Sequence, residues 1–282
     1  MSNEWVKTTE TSRENSLKGD IERGRASIEV VYIDPTVLKK IKSNYLNNSD
    51  YALLINGNHG SHADIFAIML LADDLMEEVN DNDQKIRLNG IDVIIALSLT
   101  SGHQNPRLKE YFDEAKKICS ESNIDFLPIV RPEDEKKYGL SSVVNFALFK
   151  RAFSSYKDNV ALMEFPEGTI KAGRVNLETG LHYGAQKTRS PSITDYSVEK
   201  YLKKEIPFNV LPVAIDGSYN IYDPDSYEFH EPQEKVRVTV GKLLGPDDFK
   251  GLEEGIKPSD LVMLKIIPNL SKENQGDYYP NL

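Results

Sequence analysis

The feature of this chain that most constrains its fold is an alternation of short apolar segments with longer segments of helical period. Segments 61–79, 105–122 and 141–156 repeat apolar residues at the spacing of one helix face. Seven shorter segments are rich in valine, isoleucine, leucine and phenylalanine, which is typical of buried strands: 27–33, 51–56, 91–99, 125–130, 160–165, 208–215 and 235–242. We therefore predict an α/β protein with a mixed, largely parallel sheet flanked by helices on both faces.

The length of the chain suits one α/β domain with additions at its ends. We expect residues 1–45 to form a short helical N-terminal appendage and residues 46–270 to form the main domain. Residues 271–282 are polar and offer little to bury, so a mobile tail is expected there.

The chain is acidic, with 34 lysines and arginines against 44 aspartates and glutamates and a net charge of −10. A field of that sign repels nucleic acid, so no nucleic-acid partner is expected. Its apolar stretches are far shorter than the roughly 20 residues that span a bilayer. We expect a cytoplasmic protein, with peripheral contact to a membrane left open.

The first candidate site is the run from Asn58 to Asp64, which directly follows a predicted strand. Ser61 and Asp64 fit a capping box at the start of a helix. His59 then lies in the preceding loop, from which its imidazole can fold back toward the Asp64 carboxylate. The alternative is that Asp64 only caps the helix and that His59 is an ordinary turn residue.

Two further strand ends carry unusual residues. The run Phe165-Pro166-Glu167-Gly168-Thr169 begins at the last residue of segment 160–165 and predicts a tight turn whose backbone N–H groups can face a ligand. By itself that run also fits an ordinary turn. Pro212 interrupts segment 208–215, so this strand is either not central or irregular near a site.

In combination, these motifs resemble the glycerol-phosphate and lysophosphatidate acyltransferase family, over roughly residues 51–215. The resemblance rests on their order: a His-x4-Asp (HX4D) motif, then Phe-Pro-Glu-Gly-Thr about a hundred residues later, then Leu-Pro-Val. It implies an enzyme of phospholipid biosynthesis. Such an enzyme moves a fatty acyl group from acyl-CoA or acyl-carrier protein to a hydroxyl of glycerol 3-phosphate or a lysophospholipid. No cofactor besides that thioester co-substrate is implied.

The resemblance also implies roles for individual residues. His59 corresponds to the general base that takes the acceptor's proton, and Asp64 to the carboxylate that holds and charges it. The acceptor is bound in the family by the Glu-Gly-Thr turn, and other motif positions flank the two sites. The turn residues here are Glu167, Gly168 and Thr169, and the flanking ones are Asn58, Ser61 and Pro166.

The chain departs from the family where the acceptor's phosphate is bound. Relatives usually carry arginine after their Gly-Thr, and this chain has Ile170. Either Lys171, Arg174 and Arg131 rebuild the phosphate clamp, or the acceptor carries no phosphate and the site is more apolar. Relatives also usually have membrane helices, so this chain resembles the soluble branch, in which an acyl carrier protein can deliver the acyl chain.

Two other classes of function stay open. His59, His62 and Asp64 resemble part of a metallohydrolase site of the His-x-His-x-Asp-His type, but their spacing differs from that pattern. No metal is therefore expected. A non-catalytic lipid-binding protein on the same fold is the second alternative, and the His59/Asp64 pair argues against it because binding alone needs no base.

Overall fold

The computed structural model of the protein describes residues 19, 23–24, 26–59, 61, 63–80, 88–96, 106–121, 123–139, 141–166, 174–175, 182–183, 192–218 and 235–275. Its strands are β1 (Ile28–Tyr32), β2 (Ala52–Gly57), β3 (Gly90–Ala96), β4 (Ile124–Ile129), β5 (Val160–Glu164), β6 (Arg174–Val175), β7 (His182–Tyr183), β8 (Phe208–Asp216) and β9 (Val236–Val240). Its helices are α1 (Val37–Asn47), α2 (Asp64–Asn80), α3 (Pro106–Glu121), α4 (Pro132–Tyr138), α5 (Asn145–Ala152), α6 (Ile193–Lys203), α7 (Pro246–Phe249) and α8 (Pro258–Ile266).

Seven strands form one sheet in the order β1-β9-β8-β2-β5-β3-β4. The five strands from β8 to β4 are parallel, whereas β9 runs antiparallel to β8 and carries β1 parallel to itself. The carboxyl ends of the five parallel strands therefore meet at one edge, where ligands bind in open α/β sheets. We call it the carboxyl edge.

Helices cover both faces of the sheet, because successive side chains of each buried strand point in opposite directions. Leu53 and Ile55 of β2 pack with α1, α2 and α3 in one core cluster. Leu54 lies in the second cluster, with α5, α6, α7 and α8. The predicted fold class is confirmed. Among the described residues, no helix is long and apolar enough to cross a membrane.

The predicted strands are all present, with ends within two residues of the prediction except at 91–99, whose last three residues lie outside the described ranges. The prediction of one helix over 141–156 is wrong. A 3-10 turn (Ser142–Val144) precedes α5, and a second one (Ser155–Asp158) follows it. The Ser154 hydroxyl donates to the Lys150 carbonyl at 2.8 Å, and such bonds to the preceding turn compete with helical ones.

Pro212 lies in β8, a central strand, so the expectation of a non-central position is wrong and that of an irregular one is right. Val210 pairs with Leu244 and Val213 with Val240, so the chain opposite Pro212 has one extra residue, which forms a β-bulge. The Pro212 carbonyl accepts from Gly241 at 2.8 Å. In a strand, N–H and C=O of one residue point the same way, so the N–H that proline lacks falls at this bulge.

Residues 28–47 and Ser271, which lie toward the two ends of the chain, pack against the sheet and its helices. Residues 28–47, within the predicted appendage, supply β1 and α1, which pair with β9 and pack on α2. Near the other end, the Ser271 N–H and hydroxyl donate to the Asp216 carboxylate at 3.0 and 3.1 Å. The division into appendage, main domain and tail stays a prediction.

Candidate active site

The first two motifs meet at the carboxyl edge because β2 and β5 are neighbours in the sheet. His59 follows β2 by two residues, and Phe165 directly follows β5. Their rings stack with centroids 4.5 Å apart and planes 23° from parallel. One face of the imidazole is therefore covered by an aromatic ring, which fixes the plane of His59.

His59 is also held by Asp64, the first residue of α2. His59 Nδ1 lies 2.7 Å from Asp64 Oδ2. An ionised carboxylate only accepts hydrogen bonds, so in neutral His59 the proton lies on Nδ1 and the basic lone pair on Nε2. The Asp64 side chain is 1% exposed and that of His59 is 17% exposed. The carboxylate is thus shielded from water while the imidazole reaches the surface.

Ser61 supports the same carboxylate. Its N–H donates to Asp64 Oδ2 at 3.2 Å, which is one half of the predicted capping box. Its hydroxyl accepts from Ala63 instead of Asp64 and donates to the Ser218 carbonyl after β8. The Asp64 charge also lies at the N-terminus of α2, where the helix dipole stabilises an anion.

Asn58 ties the loop to β8. Its side-chain amide donates to the Ile215 carbonyl at 2.8 Å and accepts from the Ile215 N–H at 2.7 Å. The amide thereby continues the strand pairing by one residue beyond β2, and it is 1% exposed. His59, the next residue, consequently leaves the sheet from a fixed point.

Gly57 lets Phe165 approach β2. A Cβ at this glycine would lie 3.2 Å from Phe165 Cε1, closer than most side chains tolerate. The absence of a side chain therefore admits the ring that stacks on His59.

Behind Phe165, a buried carboxylate fixes the end of β5. Glu164 accepts from the N–H groups of Ile193 and Thr194 at 2.8 and 2.7 Å and from the Thr194 hydroxyl at 2.6 Å. Asn56 of β2 donates to the same hydroxyl at 2.7 Å. Burial raises the pKa of the Glu164 carboxyl, while these hydrogen bonds oppose the rise. Glu164 joins β5 to the start of α6.

The residues predicted to bind the acceptor are mostly beyond what the structure describes. Glu167, Gly168, Thr169 and Lys171 lie outside the described residues. Arg174 lies in β6, of which the backbone alone is described, paired with Tyr183. Pro166 is buried beside Phe165.

Arg131 follows β4, three strands from β2, which places its backbone about 14 Å along the edge from that of the His59 loop. Its guanidinium donates from Nε and Nη2 to Asp134 at 2.9 and 3.2 Å. A phosphate at Arg131 would share that guanidinium with Asp134. The role of Arg131 in binding phosphate stays a prediction.

No group of three His, Cys, Asp or Glu side chains able to hold a metal ion occurs among the described residues. His62, the third member of the metallohydrolase alternative, lies outside them.

The sequence alone gave no role to Phe165 or Glu164. Phe165 stood in a recognised motif, but its contact with His59 depends on β2 and β5 being neighbours. A glycine ending one strand opposite an aromatic residue ending another is the signal that could have indicated the stack. Glu164 carries no such signal, because its partners come from a helix 29 and 30 residues further along.

No family model matches the chain, and no curated protein is similar to it. Among solved structures, it is similar to the crystal structure of the 1-acyl-sn-glycerophosphate (LPA) acyltransferase PlsC from Thermotoga maritima. The two share 18% sequence identity and a TM-score of 0.37, over 87% of this chain and 76% of that one. A similarity of this degree leaves the activity of this chain to be inferred from its own residues.

Proposed function

We propose that this protein is an acyltransferase that moves a fatty acyl group from a thioester to a hydroxyl, with His59 as general base. The observation that carries the proposal is the 2.7 Å contact between His59 Nδ1 and the buried Asp64 carboxylate, at the carboxyl edge of a parallel sheet. A carboxylate that only caps a helix does not need a histidine bonded to it. A histidine with a purely structural role does not need a buried carboxylate to orient its ring.

The chemistry follows from the orientation of the ring. Nε2 takes the proton of the acceptor hydroxyl while its oxygen bonds to the thioester carbonyl carbon. The tetrahedral intermediate collapses as the C–S bond breaks, and the imidazolium returns the proton to the leaving thiolate. An ester and a free thiol result. Asp64 stabilises the imidazolium throughout, as the carboxylate does in a serine hydrolase triad.

For the substrates, the proposal follows the sequence resemblance. The donor is acyl-CoA or acyl-carrier protein, and the acceptor is glycerol 3-phosphate or a lysophospholipid. Support for a phosphorylated acceptor comes from Lys171 and Arg174, which follow Thr169 by two and five residues, and from Arg131 after β4, in a strongly acidic chain. We assign the protein to phospholipid synthesis on the same ground.

The experiment that tests this function is a substrate panel with the purified protein. Acyl-CoA and acyl-carrier protein donors are each combined with glycerol 3-phosphate, a lysophosphatidate, a neutral alcohol and an amine, and product masses are measured. We expect an ester of a phosphorylated acceptor together with free thiol. Free fatty acid alone would identify a thioester hydrolase, and no turnover with any pair would contradict the proposal.

A further inference from the structure

Two large apolar side chains project into solvent at the end of the sheet where β4 terminates. Val143 is 80% exposed and Phe146 is 79% exposed. The other exposed large apolar side chains of the described residues are only 37–50% exposed. Val143 and Phe146 are three residues apart in a helical turn, so they share one face. We call this pair the apolar tip.

The apolar tip is rigidly supported at the carboxyl edge. Asn145 is buried, and its side-chain amide donates to the Val130 carbonyl at 2.7 Å and accepts from the Val130 N–H at 2.8 Å. Val130 directly follows β4. The Ser142 N–H donates to Glu135 Oε1 at 2.6 Å, which ties the tip to α4. These contacts therefore hold Val143 and Phe146 exposed at the carboxyl edge, where His59 also lies.

The segment that carries the apolar tip differs in net charge from the whole chain. Residues 131–152 contain five basic and three acidic residues, a net charge of +2, whereas the chain carries −10. Arg131 and Arg151 are engaged by aspartates. The other basic side chains are three exposed lysines: Lys136 and Lys137 in the last turn of α4 and Lys150 in the last turn of α5. The Lys137 ammonium lies 4.9 Å from the centre of the Tyr138 ring.

An apolar tip flanked by lysines fits a lipid surface better than a protein. A stable protein interface buries roughly 1,600 Å², and two side chains supply a small part of that. A bilayer requires less, because apolar side chains insert at the headgroup boundary while each nearby lysine adds attraction to anionic lipid.

We propose that the apolar tip and its three lysines form a contact surface for an anionic membrane, turning the carboxyl edge toward the bilayer. The inference rests on the proposed function, in which a lysophospholipid is one of the two proposed acceptors and the membrane would be its source. The binding itself involves neither His59 nor Asp64.

The test is co-sedimentation of the purified full chain with vesicles of phosphatidylcholine, or of equimolar phosphatidylcholine and phosphatidylglycerol. We expect binding to the anionic vesicles and at least severalfold weaker binding to the neutral ones. The Val143→Ser/Phe146→Ser variant should bind about tenfold or more weakly, because each side chain loses its transfer into an apolar medium. Lys136→Gln/Lys150→Gln should weaken binding to the anionic vesicles alone.

The matched control is Ile33→Ser/Leu46→Ser, which removes two apolar side chains that are 43% and 41% exposed. Ile33 follows β1, which runs opposite to the parallel strands, and Leu46 precedes β2, so both lie near the opposite edge. This control and His59→Ala should bind like the wild type. A wild type that binds neither vesicle, or a tip variant that binds equally well, overturns the proposal. Ester formation without vesicle binding would refute the membrane contact alone, and binding without ester formation would refute the proposed function alone.

Discussion

The loop after β2 and the start of α5 are held at the carboxyl edge by the same hydrogen-bonding pattern. In each, a buried asparagine amide both donates to and accepts from the backbone of one residue near a strand end. Asn58 binds Ile215 at 2.8 and 2.7 Å, and Asn145 binds Val130 at 2.7 and 2.8 Å. Each amide replaces a strand neighbour that the sheet does not supply there.

The residue that follows each asparagine has an opposite environment. His59, after Asn58, is stacked on Phe165, bonded to Asp64 and mostly covered. Phe146, after Asn145, is 79% exposed. Our two proposals give these positions different uses, proton transfer for His59 and membrane contact for Phe146. The surroundings of the next residue distinguish the two uses.

Among changes to the residues around His59, the largest effect is expected from Asp64→Asn, which keeps the shape of the turn after β2 and removes its charge. Asparagine still caps a helix, so the free energy of unfolding should fall by about 1 kcal/mol or less. Turnover should fall by about 10²–10⁴ because the imidazolium loses its counter-charge. Steady-state kinetics and urea unfolding measure the two quantities. Reduced stability with normal turnover would show that Asp64 is a cap only.

The two asparagines can be compared directly through Asn58→Ala and Asn145→Ala. Each change leaves one buried N–H and one buried C=O unsatisfied, so each should lower the free energy of unfolding by about 2–4 kcal/mol. Only Asn58→Ala should also lower kcat, by about tenfold or more, since it releases the loop that carries His59. Equal kcat losses in the two variants would mean that the turns are not functionally distinct.

The fold could be predicted where apolar periodicity decides it, and the prediction failed where individual polar contacts do. Apolar runs gave the seven sheet strands and the helices 64–80 and 106–121. Near the end of α5, the Ser154 hydroxyl bonds back to the Lys150 carbonyl, a contact that apolar periodicity does not encode. At the site, the approach of His59 to Asp64 followed from five residues of sequence. The stack on Phe165 and the amide bonds of Asn58 required the order of strands in the sheet.

A smaller effect is expected at the acceptor phosphate. Arg131→Ala, Lys171→Ala and Arg174→Ala are assayed with glycerol 3-phosphate, a lysophosphatidate and a neutral alcohol. Loss of a charge-assisted bond to phosphate should raise KM by about tenfold for phosphorylated acceptors only. If the wild type prefers the neutral alcohol and the variants match it, the acceptor carries no phosphate.

The smallest effect is expected from Gly57→Ala. The added Cβ meets Phe165 Cε1 at 3.2 Å, so the ring must shift by a few tenths of an ångström and the stacked imidazole with it. We expect kcat to fall severalfold with KM nearly unchanged, since the acceptor sites are not touched. Adding Phe165→Leu should relieve the crowding, so that Gly57→Ala no longer lowers kcat in that background. An unchanged kcat in Gly57→Ala itself would show that the stack does not position His59.

The most direct test of the central claim is the turnover of His59→Ala, with His230→Ala as a control that removes a histidine outside the motifs. Both proteins are checked for folding by circular dichroism before acyl transfer is measured. We predict that His59→Ala lowers kcat by about 10²–10⁴ and that His230→Ala retains wild-type turnover. A folded His59→Ala protein with near-normal acyl transfer would contradict the assignment of His59 as the general base.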